Sequence, residues 1–318
     1  MTAHNRAARR PEFFMLGALK CGTTALASYL ATRPLIQVSE PKEPNYFCKD
    51  LLAGGFPVAS DEEYLATFFP GLGESKAHVA LDASVWYLYS GVAVDEILRF
   101  RPDARFLVMI RNPVDMAYSL HSMLHFMGQE DVFDFARAWQ LQDARRQGRF
   151  LPVNRWVDAQ CLQYHAVCSL GSQLERLYQK VDPARVHVEL QDDMRKDPRG
   201  VYARVLNFLG VPDDGRTQFD ETNAGHKLNS RSLATALRSR PALHAVKAIK
   251  RMTGIKTLGF GRPDLPMKLE QREFLTEAFR QEIVLLENLL KRDLTQSWLP
   301  ASEGRGDRNK VSASEAEI

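Results

Sequence analysis

The segment Gly17-Ala18-Leu19-Lys20-Cys21-Gly22-Thr23-Thr24 places two glycines, a lysine and two adjacent hydroxyls just after a short apolar run, Glu12 to Ala18. The stretch that follows has helical spacing and stops at Pro34. A loop in that position presents backbone N–H groups at a helix N-terminus, where the helix dipole favours an anion such as phosphate. Gly17, Gly22 and Thr24 satisfy the nucleotide-loop pattern GxxxxGK[ST], but position 23 is Thr and the lysine lies three residues earlier, at Lys20. A lysine moved that far reaches different oxygens, so the loop suits an anion other than a metal-bound triphosphate. The plainer alternative is a strand-to-helix turn whose glycines serve only the backbone and whose lysine is solvated.

A second segment supports the departure. The apolar run Arg105 to Ile110 ends in Arg111, where a magnesium-dependent NTPase would commonly carry an acid, and Ser119 follows eight residues later. Open parallel sheets bind ligands at the carboxyl ends of their strands, so a guanidinium and a hydroxyl here could hold a second phosphate. Alone, the pair would read as a surface salt-bridge arginine and an ordinary helix serine. His121 and His125, on the same predicted helix, are candidate bases near neutral pH, although a lone helical histidine is more often structural.

The elements that must position these groups alternate along the chain. Strands are expected at Glu12 to Ala18, Ala77 to Leu81, Arg105 to Ile110 and Arg185 to Leu190. Helices are expected after Gly22, over Gly91 to Phe100, from Pro113 to about Met127, over Val132 to Arg146 and Val157 to Lys180, and from Pro198 to Phe208 with Gly210 closing. Two more are expected over 231–253 and 267–292. Alternation of this kind predicts the α/β class, a P-loop-like three-layer fold with a central parallel sheet flanked by helices. Residues 1–11 read as a flexible N-terminus, 12–299 as one domain, and 300–318, polar and poor in bulky residues, as a disordered tail.

Composition bounds the rest. With 45% apolar and 25% charged residues over 318 positions, the chain can bury a sizeable core and is neither disordered nor collagen-like. Its apolar runs are far too short to cross a bilayer. The net charge of +3 is unevenly spread: Thr222 to Pro263 holds nine Lys and Arg with no Asp or Glu, leaving 33 basic against 39 acidic residues elsewhere. Cys21, Cys48, Cys161 and Cys168 have no metal-site or disulfide-framework spacing and read as reduced thiols. MTAHNRAARRP is not followed by a signal-peptide core, so the expected compartment is the cytoplasm. No recognised nucleic-acid motif accompanies the basic segment, and no nucleic-acid partner is expected.

ALKCGTTAL (18–26), IRNPVDMAYS (110–119) and FLGV (208–211) together resemble the sulfotransferases that use 3'-phosphoadenosine-5'-phosphosulfate (PAPS), above all the bacterial and glycosaminoglycan-type branch. The resemblance runs from about Phe13 to Asn229, roughly two-thirds of the chain. It implies that Lys20, Cys21, Gly22, Thr23 and Thr24 bind the 5'-phosphosulfate, and that Arg111 and Ser119 bind the 3'-phosphate. The second arginine of the family's RxPxxRxxS pattern is Met116 here. EPKEPNYF (40–47) resembles the family's KExHFF element, which makes Glu43 the catalytic base and leaves Lys42 to hold it ionised or to add charge at the sulfate. Asn45 stands in place of His and Cys48 in place of an Asp found in some members, which argues against a heparan-like acceptor. The rival acid is Asp82 in LDASVWYLY (81–89), which matches an ExSPxY element lining the acceptor cleft, with Ala83 replacing a lysine.

The expected reaction is in-line sulfuryl transfer to a hydroxyl, or in second place an amine, with Lys20 offsetting charge on the leaving phosphate and no metal required. The acceptor is left as a small molecule, lipid, carrier-bound group or saccharide. Tyr46, Phe47, Trp86, Tyr87 and Tyr89 are candidates for its wall, at least half of them also candidates for the core. In the basic segment, Lys227, Asn229, Ser230 and Arg231 stand where the family closes a loop over the nucleotide. Arg238 to Arg251 has the spacing of an amphipathic helix able to dock an acyl carrier protein or a membrane surface, or simply to face water. Two other readings compete: a P-loop kinase of a small molecule, resting on GxxxxGTT, and a non-catalytic PAP- or anion-binding protein, suggested by Met116, Asn45 and Ala83.

Overall fold

The structure, a computed structural model, describes residues 9–53, 58–153, 155–219 and 267–299. Five strands, β1 (Phe13–Gly17), β2 (Ile36–Val38), β3 (Val79–Ala83), β4 (Arg105–Ile110) and β5 (Val186–Leu190), form one sheet in the order β2-β3-β1-β4-β5. Every pairing in it is parallel. All residues of β1 and β3 are buried, as are all of β4 after Arg105. Parallel strands covered on both faces read as unbroken apolar runs, which is why FFMLG and RFLVMI lack alternation.

Helices connect and flank the sheet: α1 (Thr23–Ala31), α2 (Asp61–Phe68), α3 (Ala93–Phe100), α4 (Pro113–Phe126), α5 (Phe135–Gln140), α6 (Gln142–Arg146), α7 (Tyr164–Cys168), α8 (Leu170–Lys180), α9 (Gln191–Lys196), α10 (Pro198–Leu209), α11 (Leu269–Leu290) and α12 (Thr295–Trp298). Local chemistry sets their ends. Asn112 accepts from the Val114 N–H ahead of Pro113 at the start of α4, and Gly210 closes α10 at φ 70°. Helix α11 lies so close to α8 that a Cβ on Gly171 would stand 2.7 Å from the Glu282 carbonyl oxygen.

The connection leaving β1 runs to the β2–β3 side of the sheet, whereas that leaving β4 runs to β5. The two loops therefore diverge at the carboxyl ends of adjacent strands, the topological switch point where open α/β sheets form a crevice.

Several elements differ from the sequence expectation. The strand expected at 77–81 lies at 79–83, and the edge strand β2, only three residues long, had no sequence signal. The span 132–146 is divided between α5 and α6 at Leu141. The span 157–180 breaks at Gln163 and Ser169 without Gly or Pro. Side chains take over the interrupted backbone bonds there. Gln173 Nε2 donates to the Ala166 and Val167 carbonyls, Gln163 Nε2 to that of Gln142, and Ser169 Oγ to that of His165. Residues 1–8, the helix expected over 231–253 with its 238–251 basic stretch, the clamp candidates Lys227, Asn229, Ser230 and Arg231, and the tail 300–318 lie outside the described residues.

Candidate active site

The loop after β1 depends on glycine twice. Gly17 has φ +132°, and a Cβ there would stand 2.5 Å from the Val85 carbonyl oxygen, so this residue admits no side chain. Gly22, at φ +88°, heads α1 with no side-chain cap, and the first turn of that helix carries no acid. The first N–H groups of α1 and the positive end of its dipole thus face the loop's concave side. Lys20 is exposed at φ 62°, and its carbonyl accepts from Arg111 Nη1 (3.0 Å) and Gln191 Nε2 (3.3 Å). One carbonyl thereby ties together the loops that follow β1, β4 and β5. Burial pushes the Arg111 guanidinium below its ordinary pKa. Burial also pushes the Cys21 thiol up to about 12, and Sγ donates to the Leu19 carbonyl, so this cysteine is a packed thiol and not a nucleophile. Thr23 is buried, Thr24 exposed, and Ser119 half-buried on α4.

Across from the loop lies the turn that carries Glu43. Lys42 Nζ stands 2.9 Å from Glu43 Oε1 and 3.5 Å from Thr24 Oγ1, so one ammonium joins the anion loop to the carboxylate. The turn is anchored from behind. Asn45, in the left-handed region at φ 53°, donates its N–H to Ser84 Oγ (2.9 Å), and Ser84 Oγ donates to Asp82 Oδ1 (2.7 Å). Tyr64 and Tyr87 donate their hydroxyls to Asp82 Oδ2 at 2.7 and 3.0 Å. Asp82 is fully buried, and desolvation raises its pKa to about 6 against the opposing pull of those three hydrogen bonds.

The histidines sit elsewhere in the hydrogen-bond network. His121 Nε2 lies 2.8 Å from the Val132 carbonyl and His125 Nδ1 3.0 Å from that of Glu130. Burial lowers the pKa of His121. Both rings brace the connection from α4 to α5, which the buried bidentate pair of Arg145 with Glu130 also holds. Met116 is wholly buried. Tyr46 stacks on Tyr64 with centroids 4.6 Å apart, and Phe47 packs edge-on against Tyr46, Tyr64 and Tyr87. These rings are core. Trp86 is buried beside Tyr89, whose hydroxyl donates to the Gln160 carbonyl.

A profile of the sulfotransferase family matches residues 11–215, a span that takes in the glycine loop, the Glu43 turn, Asp82, Arg111 and Ser119. The chain belongs to the sulfotransferase family. Among its relatives, mouse bifunctional heparan sulfate N-deacetylase/N-sulfotransferase 4 is 26% identical over 296 residues, which cover 91% of this chain and 31% of the relative. Human carbohydrate sulfotransferase 15 is 29% identical over 157 residues, covering 36% of this chain and 28% of the relative. The chain thus spans about three tenths of the length of the curated relatives it matches. The crystal structure of a sulfotransferase from Alicyclobacillus acidocaldarius superposes with a TM-score of 0.63 at 25% identity, covering 91% of this chain and 99% of that one.

Within this sulfotransferase chain, three functional contacts went unrecognised in the sequence: Gln191 on the Lys20 carbonyl, and Tyr64 and Ser84 on Asp82. Gln191 follows β5 as Arg111 follows β4, so its strand-end position was a usable signal. Tyr64 rides on α2, whose start is marked by the capping pair Ser60 and Glu63: Ser60 Oγ accepts from the Glu63 N–H, and Glu63 Oε2 accepts from the Ala59 N–H. Among the described residues no group of three His, Cys, Asp or Glu could hold a metal ion, and no helix is long and apolar enough to cross a membrane.

Proposed function

We propose that this protein transfers a sulfuryl group from PAPS to a hydroxyl, or in second place an amine, of an acceptor for which the relatives' names favour a saccharide over a small molecule, lipid or carrier-bound group. The observation that carries this reading is the Lys42 ammonium set between Thr24 of the anion loop and the Glu43 carboxylate. A base and a phosphate site stand within one side chain's reach of each other. The loop suits an anionic donor: two glycines that admit close approach, an uncapped helix N-terminus, and the cations Lys20, Lys42 and Arg111 around it.

In this reading the N–H groups of Lys20, Cys21, Gly22, Thr23 and Thr24, with the Lys20 and threonine side chains, bind the 5'-phosphosulfate, while Arg111 and Ser119 take the 3'-phosphate. The donor supplies an activated S–O bond. As the acceptor oxygen bonds to sulfur, the bridging S–O bond breaks and its electron pair leaves on the 5'-phosphate, giving 3'-phosphoadenosine-5'-phosphate (PAP). Glu43 takes the acceptor's proton, and Lys20 offsets the charge that grows on the leaving oxygen. The scheme assigns charge neutralisation to side chains and requires no metal. Of the four candidate bases, Glu43 is the one joined to the loop; Asp82 is fully buried and accepts from three hydroxyls, and the two histidines contact carbonyls of the connection from α4 to α5.

Calorimetry with PAP tests the donor assignment. Binding in the absence of metal is the expected result, with Lys20→Ala weakening both PAP affinity and turnover. No PAP affinity, or a requirement for ATP and Mg²⁺, would overturn it in favour of an anion-binding or kinase role. Transfer of label from PAPS to a panel of saccharides and simpler alcohols then ranks the acceptor classes.

A further inference from the structure

We propose that Lys42 is shared between donor and base: it holds Glu43 while the donor loop is empty and moves to the donor's phosphate when the loop fills, freeing Glu43 Oε1 for the acceptor's proton. The inference rests on the donor assignment above and goes beyond it by making base availability depend on donor occupancy.

Three observations support it. The Nζ stands close to both partners, 2.9 Å from Glu43 Oε1 and 3.5 Å from Thr24 Oγ1, so the transfer of its contact needs only a rotamer adjustment of a flexible stem. The ion pair is not sealed from solvent, with side-chain exposures of 18% for Lys42 and 26% for Glu43, so water and ligand can reach both partners. The competitor is stronger than the incumbent: a phosphosulfate near Thr24 carries two negative charges, one on each group, against one on the carboxylate, and shares the site with the α1 N-terminus. The turn itself need not move, because the Asn45 N–H is fixed to Ser84. Only the ammonium changes partner, and the carboxylate oxygen it leaves is opened to the O–H of the acceptor. Donor would therefore bind before a productive acceptor complex forms.

PAP titrations of the wild-type chain, Lys42→Met, Glu43→Gln and the double variant decide the matter. Lys42→Met should weaken PAP binding by about 5- to 10-fold. Glu43→Gln should tighten it, by about 2- to 5-fold, because the ammonium is no longer held back by a carboxylate. In the double variant the tightening should vanish, leaving the affinity of Lys42→Met alone, a non-additivity that a merely structural lysine would not produce. Lys42→Arg should keep PAP affinity within about 3-fold of wild type and serves, with Glu43→Gln, if the methionine variant fails to fold. Unchanged or weaker PAP binding in Glu43→Gln would overturn the proposal, as would tightening that persists without Lys42. Wild-type protein that binds no PAP would instead remove the donor assignment and this inference together, so the two failures are distinguishable.

Discussion

Glu43 and Asp82 lie on either side of one turn, and their surroundings are opposite. Glu43 sits on irregular backbone, partly exposed, with the Lys42 ammonium as its neighbour. Asp82 is the penultimate residue of β3, fully buried, with Ser84, Tyr64 and Tyr87 donating to its two oxygens. A carboxylate that must collect a proton from a substrate needs access and an uncommitted lone pair. One that is fully buried and accepts from three hydroxyls is suited to holding geometry. The pair also works as a unit, since Ser84 passes the hold of Asp82 to the Asn45 N–H, two residues from Glu43. In the proposed function a buried strand fixes the site and a short turn carries the base.

The sharpest way to break this contrast is to remove each carboxylate in turn. Glu43→Gln should lower kcat by about 10²- to 10⁴-fold. Its stability to urea should stay within about 0.5 kcal/mol of wild type, as for a surface substitution. Asp82→Ala should invert the pattern, destabilising the fold by about 3–4 kcal/mol because three buried hydroxyls lose their acceptor. Steady-state kinetics and urea titration of both variants read the two effects. A stable, inactive Asp82→Ala beside an active Glu43→Gln would exchange the roles.

The burial of Asp82 adds a pH signature of its own. Desolvation raises the Asp82 pKa from 3.8 to about 6, so the folded state holds this proton more tightly than the unfolded chain does. The resulting stability is fully present below about pH 4 and is lost as the pH rises through about 6, up to about 3 kcal/mol in total. Asp82→Asn has no such proton to lose. Its stability relative to wild type should therefore improve steadily between pH 4 and 7, which paired urea titrations measure. A constant difference would mean that Asp82 is ionised at low cost and that its burial does not set its role.

The same contrast explains what was legible in the sequence. The β1 loop and the Arg111 strand end could be read because buried parallel strands are apolar runs and their ends carry Gly, Asn and Pro. Glu43 and Lys42 could be named from their neighbours in the chain, but their contact with Thr24 spans 18 residues and depends on how two irregular segments meet. Asp82 stood as a rival base through its match to the ExSPxY element, and the sequence reveals neither its burial nor its partners; Tyr64 arrives from a helix 18 residues upstream. The breaks at Gln163 and Ser169 left no trace, since side-chain amides and a hydroxyl do there what glycine or proline would have announced.

Ser84 offers the smallest effect and the most selective one, because its buried hydroxyl links the Asn45 N–H to Asp82. Ser84→Ala removes the acceptor of the Asn45 N–H and one donor to Asp82, while Tyr64 and Tyr87 still satisfy the other carboxylate oxygen. A stability loss of about 1–2 kcal/mol follows from those two hydrogen bonds. PAP affinity should be unchanged, since the donor loop gains nothing from Ser84, but kcat should fall by about 10-fold as the turn bearing Glu43 loses its anchor. The split between binding and turnover is the decisive reading. If kcat holds while stability falls, the Asp82 network supports only the fold, and Glu43 is positioned by the flanking prolines of its own turn.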